Sequence, residues 1–382
     1  MAATAGIYWQ LATMLVLVAN LGSTSFKFKL LDMSSNGAEV ARGGYERIGQ
    51  KDAPFRTHGD VIDVILKECP RKPDAIGFKA VHGGPISGAV RVTDEVIATM
   101  EQFADVAPAH NPPYIAAMRA FREKMPATPQ VAAFETAFHQ TIPLSRQVYA
   151  IPHEWTEKLG IRRYGFHGAS HRYIATRVKE IVPAARRVIS CHLGGSCSVC
   201  AIQDGRSVAN SFGMTAQSGV PHNNRVGDFD TFALLKLTKQ GLALDEVFRR
   251  LGKEGGLLGM SGVSPDMRDV ERSANEGNAR ARLAVDAFVE SVRGFVGSYL
   301  VALGGCDVLA FTGGIGENGA AIREAVCRNL SFAGIVLDPQ KNKVRGTETK
   351  ISAVESGAEI WIVPTNEELI VARQTVAVLT AN

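Results

Sequence analysis

Residues 17–32 read LVANLGSTSFKFKLLD, and residues 189–204 read ISCHLGGSCSVCAIQD. Leu21 matches Leu193, Gly22 matches Gly194 and Asp32 matches Asp204, each at an offset of 172 positions (193 − 21). Each stretch is an apolar run, a turn of small and hydroxyl-bearing residues, and a second run, the pattern of a strand–turn–strand unit. Its recurrence half a chain apart predicts two related domains facing each other. Small side chains let backbone N–H groups approach an anion closely, and successive N–H groups form a nest that favours phosphate. Ser23, Thr24 and Ser25 add hydroxyls to the first turn, and Ser196 and Ser198 to the second. An ordinary β-hairpin is the rival reading of either turn alone; the two together favour phosphate.

Outward from these turns, strands are expected at 15–19, 26–31, 75–81, 188–192, 198–202, 308–311 and 359–363. Helical periodicity marks 60–69, 115–124, 171–181, 231–237, 244–251, 278–303 and 320–330. Strands mixed with helices over 382 residues predict an α/β protein of two domains. With 46% hydrophobic and 21% charged residues, the chain can bury sizeable cores. Lys+Arg 42 against Asp+Glu 38 leaves +4, spread along the chain. That excludes the basic domain or stripe that nucleic acid needs, but not a local site for a phosphorylated anion. No apolar run reaches the ~20 residues that span a bilayer. Residues 7–21 come nearest, but Gln10, Thr13 and Asn20 interrupt them and no cation precedes them, as a signal peptide requires. Residues 1–13 read as a short extension with no assigned function. Six cysteines in so long a chain fit a reducing cytosol rather than a disulfide scaffold. Cys191, His192, Cys197 and Cys200 lie close together, but small buried residues explain them better than zinc.

A third glycine cluster, TGGIGEN at 312–318, follows an apolar run and precedes a helical stretch. Such a turn sets a helix N-terminus against a nucleotide or its phosphates. A lone Gly-x-Gly carries little weight, and no P-loop Gly-Lys-Ser/Thr occurs.

Read together, the motifs resemble those of acetate kinases: RYGFHGASH at 163–171, VLVANLGSTSFK at 16–27, VHGG at 81–84, APAHNPP at 107–113, TGGIGEN at 312–318 and PTNEEL at 364–369. FETAFH at 134–139 and SPDMRDVE at 264–271 also fit, and the matches run in order through nearly the whole chain. The resemblance implies two actin-like, ribonuclease-H-like α/β domains with a cleft between them: 1–136 plus 370–382, and a nucleotide-binding domain at 137–369. It implies a cytoplasmic homodimer with neither nucleic acid nor membrane as partner, and reversible transfer of a phosphoryl group between ATP and acetate or another short carboxylate, giving ADP and an acyl phosphate.

Carried over by position, the resemblance makes Asn20 and Glu367 ligands of Mg²⁺ or Mn²⁺ and brings Lys27 to the ATP phosphates. Glu135, His167, Arg225 and His110 become the catalytic set. Lys79, Val81, Ala109, Phe166 and Ala216 line the acyl pocket. His192, Leu193, Gly194, Gly195 and Ser196 form the second phosphate loop. Asp266, Met267, Arg268, Gly314, Ile315, Gly316, Glu317 and Asn318 hold the nucleotide. Each has a bland rival. The histidines could be core residues satisfied by backbone, Arg225 could pair with Asp228, and Glu367 could merely open a helix capped by Asn366.

The sequence departs from the family's pattern at four points. Lys79 stands for Arg, a point charge for a planar fork. Glu135 stands for Asp, an extension of roughly 1 Å that can cost on the order of a hundredfold if uncompensated. Gly194-Gly195-Ser196 stands for Gly-Asn-Gly, which removes a side-chain amide. Ala216 stands for Pro, in a loop (TAQSGVPHNN, 215–224) unlike the family's. Lys79 and Glu135 could compensate each other, leaving an active kinase with a changed carboxylate or phosphoryl donor. The alternatives are a non-catalytic nucleotide-binding homologue and a sugar kinase on the same architecture. The carboxylate-type motifs favour the first reading.

Overall fold

The computed structural model describes residues 14–104, 107 and 110–381. Strand β1 (Leu15–Gly22) is apolar on nearly every residue, as a central strand covered on both faces must be. It turns through Ser23-Thr24 into antiparallel β2 (Ser25–Asp32), which pairs with β3 (Ala38–Glu46). On its other side β1 runs parallel to β4 (Ala75–Ala80). Beyond β4 lies β5 (Ala89–Arg91), set antiparallel at the edge of β6 (Gln130–Phe134), which is itself parallel to β4. The order is β3-β2-β1-β4-β6-β5.

The second sheet repeats it. β7 (Arg187–Leu193) and β8 (Cys197–Gln203) form the hairpin, and β9 (Arg206–Asn210) extends it. β7 runs parallel to β10 (Val308–Thr312), while β11 (Thr349–Lys350) sits antiparallel on β12 (Glu359–Ile362), the parallel neighbour of β10. Read from the hairpin edge, the order is β9-β8-β7-β10-β12-β11. β7 begins 172 residues after β1 (187 − 15), and β8 begins 172 after β2 (197 − 25). The offset read from the sequence is the offset of the two folded hairpins.

The chain divides into two units, one through Gln140 with Asn366–Asn382, the other Thr141–Thr365, and each has its own apolar core. Set against the expected boundaries at 136/137 and 369/370, this division puts Glu367 in the first unit. Its helix, Glu367–Thr380, lies on β1, β4, β5 and β6. Gly77 in β4 permits the close approach, since a Cβ there would lie 2.4 Å from Thr375 Oγ1. Local signals set the helix ends. Thr57 and Asp60 make a capping box for His58–Glu68. Asn278 caps the 25-residue helix Ala279–Leu303, which stops at Gly304 with φ 68°.

Several elements carry no clear pattern in the sequence. β3 is an exposed, polar strand, and β5, β6, β9 and β11 are five residues or fewer. Gly313–Asn318, read as a loop, is itself a helical turn, because Glu317 Oε1 folds back to accept the Gly313 N–H at 2.9 Å. No helix among the described residues is long and apolar enough to cross a membrane. The six cysteines are free, and Cys191, Cys197 and Cys200 are buried.

Candidate functional site

In the first unit the chemistry collects at the carboxyl ends of the parallel strands, where open α/β sheets hold their ligands. Lys79 lies near the end of β4 and Glu135 just past β6; Glu367 opens the C-terminal helix. The Lys79 ammonium makes a very short ion pair with Glu367 and lies 3.8 Å from Glu135. Burial disfavours the ammonium, but the Glu367 and then the Glu135 carboxylate outweigh it, so the pKa of Lys79 is raised. Asn366 caps the helix by accepting the Leu369 N–H, as the bland reading required, yet Glu367 also engages Lys79. Asn20 near the end of β1 and Lys27 on β2 are direct cross-strand partners, with Lys27 exposed. Two carboxylates around one cation leave a net negative, all-oxygen set, which suits a hard divalent ion that brings its own waters and phosphates.

Two neighbours were not read from the sequence. Tyr114 is buried; its hydroxyl accepts the Leu21 N–H at 3.0 Å, and burial raises its pKa. Asn111 is buried and donates to the carbonyls of His82 and Met100, which fixes the segment bearing His110 at the entry of its helix. Val81 follows β4, half-buried against the first unit's core. Ala109 lies outside the described residues.

The second unit gathers hydrogen-bonding groups instead. Its hairpin loop Gly194–Ser196 and the helical turn Gly313–Asn318 flank a cavity of about 410 Å³. Gly194, Gly195, Asp266, Met267, Arg268, Gly314, Ile315 and Asn318 all line it. His192, Leu193, Ser196, Gly316 and Glu317 do not. Leu193 is core, the Gly316 carbonyl accepts from the buried Arg323, and Glu317 is spent on Gly313. Asp266 caps the helix Met267–Asn275 and pairs with Arg268, which draws its pKa down to about 2. Four further lining residues escaped sequence reading: Asn223, Glu271, Gly319 and Arg345. Burial raises the Glu271 carboxyl against the opposing pull of Arg345. Asn223 comes from a loop distant in sequence, and only SPDMRDVE hinted at Glu271.

That loop ends at Arg225. The Arg225 guanidinium donates to the Ala216 carbonyl at 2.6 Å and makes no ion pair among the described residues; burial lowers its pKa. The rival partner Asp228 instead accepts the Gly219 N–H at 2.8 Å. A desolvated cation without a carboxylate is a receptor for an anion. His222 fastens this loop to the hairpin, since its Nδ1 accepts the Cys197 N–H at 2.9 Å and its ring stacks on Phe212. Burial and the Arg225 charge depress its pKa to about 3. Phe166 is buried edge-on to Phe212.

His167 has φ 56°, a left-handed conformation uncommon for a residue with a side chain and usually kept for function. Its Nδ1 lies 2.8 Å from Ser198 Oγ and its ring 4.1 Å from that of His192. Ser198, expected among the phosphate hydroxyls, is wholly buried and turned toward the histidines.

Comparison with known proteins agrees over nearly the whole length. The family model described as "Acetokinase family" matches residues 61–373. An acetate kinase of Dictyoglomus turgidum is 42% identical, over 96% of this chain and 98% of its own. The crystal structure of Porphyromonas gingivalis acetate kinase superposes with a TM-score of 0.88 at 38% identity, covering 96% of this chain and all of that one. A propionate kinase from Francisella tularensis gives 0.88 at 36% identity over 95% and 99%. From the repeated sheet, the glycine-walled cavity and these likenesses, the chain belongs to the acetokinase family and is an acetate kinase-type phosphotransferase using ATP and a divalent metal.

Proposed function

We propose that the chain transfers the γ-phosphoryl group of ATP reversibly to acetate or a slightly longer carboxylate, giving ADP and the acyl phosphate. A carboxylate oxygen attacks phosphorus in line, and the bond to the β-phosphate oxygen breaks, its electron pair leaving with ADP. The observation that carries this reading is Arg225, a desolvated guanidinium with no carboxylate partner among the described residues, in the same unit as the glycine-walled cavity. Arg225 clamps phosphoryl oxygens, His167 donates to the group in transit and His110 supports it. Gly194, Gly195, Gly314, Ile315 and Asn318 hold the nucleotide, with Lys27 toward its phosphates. Glu367 and Asn20, with Glu135 beside them, hold Mg²⁺, which neutralises phosphate charge when bound. Lys79 positions Glu367 and Glu135 and meets the acceptor carboxylate. Val81, Ala109, Phe166 and Ala216 admit the acyl chain. The protein works in the cytosol as a homodimer.

The test is acyl hydroxamate formation with ATP, Mg²⁺ and hydroxylamine across acetate, propionate and butyrate, with pyrophosphate as the alternative donor and a sugar panel alongside. Acyl phosphate from acetate or propionate with ATP is expected. ATP binding by calorimetry without turnover of any carboxylate by either donor would leave a non-catalytic nucleotide-binding protein.

A further inference from the structure

Three hydrogen bonds join four buried or half-buried groups of the second unit in series. His167 Nδ1 lies 2.8 Å from Ser198 Oγ, Ser198 Oγ lies 2.8 Å from His171 Nε2, and His171 Nδ1 lies 2.9 Å from Ser190 Oγ. Local structure dictates the series. His167 and His171 are the N-cap and fourth residue of the helix Gly168–Ile181, so they share one face. Ser190 and Ser198 sit on the paired strands β7 and β8. Ser190, Ser198 and His171 are wholly buried. Because the His167 side chain turns to Ser198, it makes no capping bond to its own helix.

We infer that Ser198, His171 and Ser190 form a proton-ordered chain that fixes His167 as the Nε2–H tautomer, which makes Ser198 and His171 positioning residues for phosphoryl transfer. Each hydroxyl and each neutral imidazole has one proton, so the series can point only two ways. Toward His167, Ser190 donates to His171 Nδ1, His171 Nε2–H donates to Ser198, and Ser198 donates to His167 Nδ1. The His167 proton then resides on Nε2. In the reverse direction, His167 Nδ1–H donates to Ser198, Ser198 to His171 Nε2, and His171 Nδ1–H to Ser190. The Ser190 proton would then need another acceptor, and His171 is the one hydrogen-bond partner of that buried hydroxyl among the described residues. An unmade buried donor is costly, whereas spare lone pairs on Ser190 cost less. The first direction therefore prevails. The His192 ring, tied through Nδ1 to Ser170 Oγ at 2.8 Å, lies against the His167 ring at an interplanar angle of 31° and limits its rotation.

The role given to these residues rests on His167 meeting the phosphoryl group; the proton order itself does not. The experiment is a two-bond ¹H–¹⁵N correlation on the full chain labelled with ¹⁵N-histidine, His167 being assigned through His167→Gln. Nε2–H on both His167 and His171 is expected, and Nδ1–H on His167 overturns the inference. In parallel, Ser198→Ala should lower kcat on the order of a hundredfold, by analogy with tautomer errors in other catalytic histidines, while KM for ATP and carboxylate stays within about twofold. Ser198→Thr, which keeps the hydroxyl, should recover most of that loss. A folded Ser198→Ala with unchanged kcat, or Ser198→Thr no better than Ser198→Ala, defeats the positioning role. If neither variant folds, the tautomer spectrum decides alone. A wild-type chain that makes no acyl phosphate but shows the Nε2–H pattern defeats the proposed function and leaves the proton order standing.

Discussion

The two units share one sheet topology, and their hairpins recur at one offset of 172 residues (187 − 15), yet their strand ends are equipped differently. The first gathers formal charge: Lys79 between Glu135 and Glu367. The second sets a glycine hairpin and a histidine–serine series beside a cavity lined by Asp266, Arg268, Glu271 and Arg345, and holds Arg225 with no ion pair among the described residues. The scaffold therefore does not set the chemistry. Turn length does part of it: Gly22 faces Ser25 across two residues, whereas Leu193 faces Cys197 across three, and only the longer loop borders the nucleotide-sized cavity. What packs on the strand ends does the rest. A helix N-terminus brings Glu367 to the first sheet, and the 215–225 loop brings Arg225 and Asn223 to the second.

The largest effect should come from Arg225, which makes no ion pair among the described residues. Arg225→Met is expected to reduce acyl phosphate formation by roughly a thousandfold. Because the guanidinium is desolvated without an ion pair, the same change should leave the midpoint of thermal unfolding unchanged or raise it. A variant that loses activity only in proportion to lost stability would mean that Arg225 is structural.

In the first unit the charges satisfy one another, so the opposite outcome is expected. Lys79→Met leaves two nearly buried carboxylates facing each other and should cost about 3 kcal/mol in urea unfolding, with part restored by millimolar Mg²⁺. Lys79→Arg with Glu135→Asp, the family's own pair, should change acetate turnover by more than the two single changes combined. Strict additivity would dissolve the idea that the two departures compensate.

The same contrast should show in pH dependence. The folded pKa of Lys79 is raised, so its contribution is present at all pH values below the ordinary lysine range and is lost only as pH climbs above it. His222 has the reverse sign. Its folded pKa, about 3, lies below the ordinary histidine value of 6.5, so the unfolded chain binds the proton more readily. Stability is complete above pH 6.5 and falls by about 2 kcal/mol from pH 8 to pH 5. His222→Gln, which can still accept the Cys197 N–H, should remove that slope. An unaltered acid limb in the variant would assign it to other groups.

How much could be read in advance follows the same division. The hairpins, the parallel strands β4, β10 and β12 and the long helix are continuous apolar or strongly periodic runs, and they were legible. β3 and β6 were not, because one is polar on an edge and the other is five residues long after Pro129. The turn at 313–318 is rich in glycine, and its helical form depends on a Glu317 side chain that no pattern predicts. Ser198 was counted among phosphate hydroxyls because the turn's composition suggested it, while the strand pleat buries it. Lys79 and Glu135 were recognised as a pair, but their link to Glu367 needs three segments far apart in sequence.

The smallest expected effect concerns the amide missing from the second unit's turn, where the family pattern has Asn and this chain has Gly195. The loss is local in sequence but not in space. The Asn223 N–H donates to the Gly195 carbonyl at 3.2 Å, and its side-chain Nδ2 lies 3.4 Å from where a Gly195 Cβ would stand. Both residues line the cavity. An amide from a neighbouring loop thus occupies the region that the family fills from position 195, and a side chain at 195 would press against it. Asn223→Gly should raise KM for ATP by about tenfold, the worth of one hydrogen bond to a charged group. Gly195→Asn alone should also weaken nucleotide binding, through crowding rather than loss. The two together should return KM to within about twofold of the natural chain, because an amide is supplied once and without conflict. If the double variant binds ATP no better than the worse single, the amide has no counterpart on the 215–225 loop. The tolerance for Gly195 would then have to come from the cavity's remaining donors.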